Sequence, residues 1–293
     1  MTAIVFDHFS YAYSTGEPVL NDIVLTIPAG AFAVVTGPEG AGKTTFCLAV
    51  AGAVPQYFGG RMAGSVKVGG IKTTEISMAD LAGTVGTVLA DYESQLVALT
   101  VAEEVAFGLE NRGVPRQEIA GRVLRALAMV GLSGKEEQEV AGLSGGQRQR
   151  LAVASILVTE PEIIVLDEPA SALDPEGTLE LYRLLGDLNK NHGKTIVVVE
   201  HQLTNILPYA TQLIVMENGS IALNGTVTQT LTAMVDCQLY AEAVPTLWKL
   251  KFMLEKKAKT QLGDWTSPGE AAAQIRQLLA FEQKGVARSA RTA

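Results

Sequence analysis

The segment GPEGAGKTT, Gly37 to Thr45, constrains this chain more than any other stretch. It follows the apolar run Phe32 to Thr36 (FAVVT) and opens a stretch of helical character. A buried strand, a glycine-rich loop and a helix N-terminus therefore succeed one another. Gly37, Gly42, Lys43 and Thr44 fill the pattern G-x-x-x-x-G-K-[ST]. A triphosphate gathers several negative charges within a few ångströms. Glycines let the backbone close around it with N–H groups turned inward, and the following helix end adds positive potential. In this pattern Lys43 is placed to reach the β and γ phosphates, and Thr44 to offer a hydroxyl to a magnesium ion. Pro38, Gly40, Ala41 and Thr45 complete the cradle. Glu39 is an acidic side chain on an anion-binding loop, so it is expected to face solvent or a cation on a partner.

Four more apolar runs read as strands: Val85 to Leu89, Ile163 to Leu166, Thr195 to Val199 and Leu213 to Met216. They are short, and suit strands buried on both faces of a parallel sheet. Helix-period stretches, Gly121 to Val130, Gly145 to Leu157 and Leu179 to Asn189, lie between several of them, which argues for an α/β core. Ile4/Phe6, Ile23/Leu25/Ile27 and Val66/Val68 alternate with more polar positions and predict half-exposed antiparallel strands beside that core. After about residue 230 the pattern becomes helical. Leu247, Leu250 and Leu254 share a helix face. Ser267, Pro268 and Glu270 make a capping-box start, and Ile275, Leu278 and Leu279 follow at helical spacing. The expected organisation is a domain over residues 1–230 and a small helical extension over residues 231–293.

The stretch Glu162-Ile-Ile-Val-Leu-Asp-Glu-Pro169 is an apolar strand ending in two carboxylates, Asp167 and Glu168. In a parallel sheet a strand end lies at the edge that also carries the phosphate loop. Asp167 is the candidate magnesium ligand, directly or through water. Glu168 is the candidate for orienting or deprotonating an attacking water.

Composition narrows the partners. With 47% hydrophobic and 18% charged residues the chain is not a disordered or collagen-like polymer. Its net charge of −8 argues against a nucleic-acid binder. Residues 1–240 carry 14 basic and 26 acidic side chains and residues 241–293 carry 9 and 5, so the helical end alone is basic. Cys47 and Cys237 share no metal-ligand or disulfide spacing, which fits a reducing compartment. No apolar run approaches the roughly 18–20 residues of a membrane span. The start MTAIVFDHFS lacks the features of a signal peptide. A membrane role is therefore expected to come through partners.

The octapeptide LSGGQRQR, Leu143 to Arg150, resembles the signature motif of ATP-binding-cassette ATPases. The order of phosphate loop, LSGGQ, aspartate–glutamate, SALD and histidine over residues ~3–230 is that family's order. Ser144 stands where a helix N-cap belongs, and Gly145 and Gly146 add no bulk, so this is a second helix end suited to an anion. The resemblance implies a P-loop NTPase fold of the cassette type. This comprises a parallel core sheet, an antiparallel β subdomain and a helical subdomain. It also implies ATP hydrolysis with magnesium in a dimer of cassettes. Ser144, Gly145, Gly146 and Gln147 of one cassette would then meet the γ-phosphate held by the other. By the same resemblance Asp174 belongs to the loop Ser171 to Asp174 that links the two sites, His201 is the switch histidine, and Tyr13 stacks on adenine.

The segment Gln95 to Pro115 (QLVALTVAEEVAFGLENRGVP) and the helical extension look most like the ATPase subunits of energy-coupling-factor importers for vitamins and transition-metal ions. In that family two ATPase subunits pair partly through such extensions. They sit at the cytoplasmic face of the membrane beneath a transmembrane coupling subunit, beside a membrane substrate-binding subunit. The coupling subunit would enter near Ala90 to Val101. One position departs from the pattern. The family's glutamine after the strand VGTVL is Ala90 here, followed by Asp91, and alanine offers no ligand atom. That departure raises the alternative of a regulatory, non-hydrolysing cassette in a heterodimer, against which Glu168 and His201 both stand. A soluble nucleic-acid-linked cassette ATPase is a further alternative. The modest interval from Lys43 to Ser144 and the single cassette argue against it.

Overall fold

A computed structural model describes residues 2–14, 16–258, 260–263, 265 and 269–278. The alternating N-terminal segment forms two long antiparallel strands, β1 (Thr2–Ala12) and β2 (Leu20–Pro28), pairing Ile4 with Ile27 and Phe6 with Leu25. The uninterrupted apolar run follows as β3 (Phe32–Thr36), every residue of it buried, and leads into helix α1 (Lys43–Val50). A single turn, α2 (Ala53–Gln56), precedes β4 (Arg61–Val68) and β5 (Ile71–Lys72), which extend the first sheet in the order β2-β1-β4-β5. The short helix α3 (Met78–Leu81) leads to β6 (Val85–Val88). The helices α4 (Val101–Glu110), α5 (Arg116–Met129) and α6 (Gly145–Leu157) come next. The chain then runs through β7 (Ile163–Asp167), α7 (Pro175–His192), β8 (Thr195–Val199) and the hairpin β9 (Gln212–Glu217) and β10 (Ser220–Gly225).

The second sheet has six strands in the order β10-β9-β3-β8-β7-β6. Five of them are parallel, as their doubly buried sequences anticipate, and β10 adds an antiparallel edge. This is the α/β architecture with an antiparallel β subdomain and a helical subdomain, α4 to α6. The core beneath α1 is continuous with the antiparallel sheet. Phe46 stacks on Phe6 with ring centroids 4.6 Å apart, and Cys47, Ala49 and Val50 are fully buried with it. Burying an aromatic of this kind stabilises the fold by roughly 2–3 kcal/mol. It also fixes the helix whose first turn carries Lys43 and Thr44.

The chain divides into two compact units, Met1–Thr226 and Val227–Ala293. In the second, α8 (Val227–Asp236) and α9 (Thr246–Ala258) are followed by helical residues 269–278. On α9 Leu250 is 40% exposed. The buried positions are Trp248 and Lys251, whose ammonium lies 4.8 Å from the Trp248 ring centroid. The face read from Leu247, Leu250 and Leu254 is therefore rotated toward the larger indole, which excludes more water than a leucine. Ser267, Pro268 and Leu279 lie outside the described residues. Among the described residues no helix is long and apolar enough to cross a membrane.

Candidate active site

Parallel strands end together, and the register of this sheet sets which residues meet. Asp167 at the end of β7 pairs with Val199 at the end of β8, and Val35 of β3 also pairs with Val199. The phosphate loop after β3, the carboxylates after β7 and the histidine after β8 thus leave the same edge side by side.

The loop wraps tightly because two of its glycines cannot be anything else. Gly37 has φ +148, and a Cβ there would lie 2.1 Å from the Met216 carbonyl oxygen. Gly42 has φ +94, and its Cβ would meet the Val19 carbonyl oxygen at 2.9 Å. Gly42 is the N-cap of α1 with no side-chain cap, so the first N–H groups of that helix remain free for a ligand. Lys43 is buried and folds back over the loop, donating to the carbonyls of Gly37 at 2.9 Å and Pro38 at 2.8 Å. Burial pulls its pKa below the ordinary value, while the charges of Glu168, Asp167 and Glu39 oppose that shift. Glu39, Gly40 and Thr44 are exposed, Pro38 is half-buried, and Ala41 and Thr45 are buried. Glu39 thus meets its expectation of facing solvent.

Asp167 is 1% exposed, and neither carboxylate oxygen has a hydrogen-bond partner of good geometry. Burial raises its pKa. The Thr44 hydroxyl and the Lys43 and His201 charges pull it down, and Glu168 pushes it up. An orphaned buried carboxylate is costly unless a cation or donor joins it. A carboxylate and a hydroxyl side by side are hard oxygen donors, the set magnesium prefers, so the residues fit that ion.

Glu168 sits in the left-handed region, φ +51, an uncommon conformation for a side chain with a Cβ. Its N–H donates to the Val199 carbonyl at 3.1 Å. Its carboxylate turns to His201, with Oε1 3.0 Å from Nε2. The pair is half-buried and faces the same edge as Lys43 and Asp167.

Tyr13 follows the end of β1, and its hydroxyl lies 3.3 Å from that of Thr45. Its ring packs edge-on against Tyr11 and Phe58. An aromatic face thus stands next to the phosphate loop. Ser144 is the N-cap of α6, where its hydroxyl accepts from the Gln147 N–H at 3.3 Å and Gln147 Oε1 accepts from the Ser144 N–H at 3.1 Å. Gly146 lies under the Ala172 carbonyl, where a Cβ would find 3.2 Å, and Gly145 leaves the same turn uncrowded. This helix packs on α4, α5 and β6, whereas α1 packs on α2, β4 and β7. The structure therefore brings Tyr13, the loop Gly37 to Thr45, Asp167, Glu168 and His201 together, and holds Ser144 to Gln147 on different neighbours. Asp174 caps α7 by accepting from the Gly177 N–H at 2.7 Å. Ala90 is exposed just beyond β6. Gln95 does not replace the missing glutamine, because its amide is used to hold the backbone of Leu89 and Thr87.

Two residues around this site carry no local sequence signature of their role. Gln149 is buried and donates to the Glu168 carbonyl and the Ser171 hydroxyl while accepting from the Ala172 N–H. Glu200 is also buried, at the end of β8. A carboxylate closing the run TIVVVE is the one signal the sequence offers for it.

The fold and the site define an ATP-binding cassette. Residues 20–171 match the family described as ABC transporter. The chain is 38% identical over 262 residues to a protein of Pyrococcus abyssi named as a putative ABC transporter ATP-binding protein, covering 89% of this chain and 94% of that one. Among solved structures it resembles cbiO1 of Clostridium perfringens, a part of the ABC transporter complex cbiONQ. That likeness has TM-score 0.70 and 28% identity, over 87% of this chain and 97% of the other. It also resembles the dimeric post-hydrolysis state of the ATP-binding cassette MJ0796 bound to ADP and Pi. There the TM-score is 0.68 and the identity 28%, over 76% and 98% of the two chains. The chain belongs to the ABC transporter family of ATP-binding, ATP-hydrolysing subunits.

Proposed function

We propose that this chain is the ATPase subunit of an energy-coupling-factor importer, working in a cassette dimer at the cytoplasmic face of the cell membrane. The observation that carries the catalytic part is the shared sheet edge, where Lys43, the orphaned Asp167 and the Glu168–His201 pair converge. The loop N–H groups and Lys43 hold the triphosphate of ATP, with Tyr13 beside the adenine. Asp167 and Thr44 would hold magnesium, which would supply charge neutralisation for the phosphates. Glu168 accepts a proton from water as the water oxygen bonds to the γ-phosphorus and the bond to the ADP oxygen breaks. His201 orients Glu168 and faces the γ-phosphate.

A second cassette completes the site. The Ser144 hydroxyl spends an acceptor lone pair on its own helix and keeps its hydrogen for an outside anion. The Gly145–Gly146 turn leaves room for that anion at a helix N-terminus. Support for an importer comes from the likeness to cbiO1, a subunit of a multi-component transporter, over most of both chains. The test is purification of the tagged chain from membranes in mild detergent, with mass spectrometry of what accompanies it. A second cassette together with two different integral membrane proteins is the expected result. Recovery of this chain alone, or with nucleic acid, overturns the reading.

Ala90 favours one refinement, a heterodimer in which this chain supplies the less regulated of two ATP sites. Ala90 has no oxygen to offer a magnesium ion, so Asp167 and Thr44 would hold the ion without it, and the link between nucleotide state and membrane partner would weaken.

A further inference from the structure

We propose that Glu200 is a positioning residue for hydrolysis: its buried carboxylate ties the loop behind Glu168 to the backbone of His201, and so sets how those two side chains meet. The proposal rests on reading Glu168 as the group that activates water.

Glu200 leaves β8 with its N–H donated to the Val35 carbonyl at 2.9 Å, which anchors it against the strand that feeds the phosphate loop. Its side chain is 7% exposed, in a place where an unpaired carboxylate would be costly. Three donors reach it. The Tyr182 hydroxyl of α7 lies 2.5 Å from Oε1, and Tyr182 is itself 1% exposed. The backbone N–H groups of His201 and Ala170 also face the carboxylate and favour its ionised form. One of these belongs to the switch histidine. The other lies two residues beyond Glu168, in the loop that returns to α7. A single carboxylate therefore joins the end of β8, the loop after β7 and the body of α7.

That loop is braced from its other side as well. The Gln149 amide of α6 donates to the Glu168 carbonyl at 3.2 Å and accepts from the Ala172 N–H at 3.1 Å. Between the two braces, Glu168 is held in its left-handed conformation. Strain of this kind persists only where surrounding contacts over-determine it. Gln149 supplies such contacts from α6, and Glu200 supplies them on the histidine side.

The test uses the full-length chain with the substitutions Glu200→Gln and Tyr182→Phe, and Glu168→Gln as control. Gln keeps the size of Glu but cannot accept at both terminal atoms. ATP hydrolysis is followed as separate kcat and KM, and amide hydrogen exchange is read in peptides covering residues 168–173 and 199–203. Glu200→Gln is expected to lower kcat about tenfold with KM for ATP within about twofold. Exchange in the two peptides should quicken about tenfold, with β3 still protected. Tyr182→Phe should move both readouts the same way by less. Unchanged exchange, or faster exchange with unchanged kcat, overturns the proposal. An equal loss of kcat and ATP affinity with faster exchange throughout the chain also overturns it, because Glu200 is then a general fold residue. If Glu168→Gln retains turnover, the reading of Glu168 fails whatever Glu200 does. If it abolishes turnover while Glu200→Gln is silent, only the positioning role fails.

Discussion

His201 Nε2 lies 3.0 Å from Glu168 Oε1 although the two residues are 33 apart in sequence. The contact exists because β7 and β8 end in register and Glu168 turns through a positive φ immediately afterwards. Replacing Glu168 by Gln keeps the shape and removes the proton acceptor. Steady-state hydrolysis should fall by at least about a hundredfold, with ATP binding intact and an ATP-trapped dimer visible by light scattering. Unimpaired turnover removes Glu168 from the base role.

Lys43 already donates to two loop carbonyls, so its ammonium is held where the phosphates are expected. Lys43→Ala removes a charge-assisted contact to phosphate and should weaken ATP binding by roughly 2–3 kcal/mol, measured by calorimetry. The melting temperature without nucleotide should change far less than the affinity.

The glycines of the loop are not equivalent. At Gly37 a methyl group would collide with the Met216 carbonyl oxygen, whereas at Gly40 nothing lies within 4 Å. Gly37→Ala should destabilise the protein by more than about 2 kcal/mol, as overpacking against backbone does. Gly40→Ala carries only the left-handed strain, about 1 kcal/mol. Denaturant melts of the two variants should separate them clearly.

Ala90→Gln should restore an oxygen where the family pattern has one. Transport-coupled ATPase activity should then depend more steeply on magnesium concentration, by several-fold at limiting metal, with affinity for ATP little changed. Identical magnesium titrations for the two proteins would remove Ala90 as a cause of altered regulation.

Glu200 gives a pH signature. Burial, with the Glu168 charge adding to it, raises its carboxyl to about 6 from 4.5, against the Tyr182 hydroxyl and the His201 and Ala170 N–H groups. The native state therefore holds this proton more tightly than the unfolded chain. The stabilisation is complete below the ordinary carboxyl value and is lost as pH rises through about 6. Its size is roughly 2 kcal/mol. Glu200→Gln lacks the effect. Its stability relative to the unsubstituted protein should rise by about that amount between acid and neutral pH in urea melts.

Much of this site is legible in the sequence because it is local. Phe32 to Thr45 contains its own strand, turn and helix start, and Ser144 to Gln147 its own cap, so residues Gly145–Leu157 form a helix where the sequence places one. Helix α7 begins four residues before the apolar spacing from Leu179 suggests, and Asp174 with Pro175 is the start signal that spacing overlooks. Strand β10 has no clear sequence pattern, because it is a half-polar edge whose pairing with β9 depends on a hairpin rather than on burial. Gln149 and Glu200 are hidden for another reason. Their partners Ser171 and Tyr182 lie 22 and 18 residues away, and nothing local distinguishes a bracing polar residue from a solvated one.

The mutual cap of Ser144 and Gln147 has a kinetic consequence. The first turn of α6 is finished within its own chain and needs no ordering when a second cassette arrives. Pairing should then proceed as the collision of two rigid bodies, paced by diffusion and surface charge, with nucleotide deciding how long the encounter lasts.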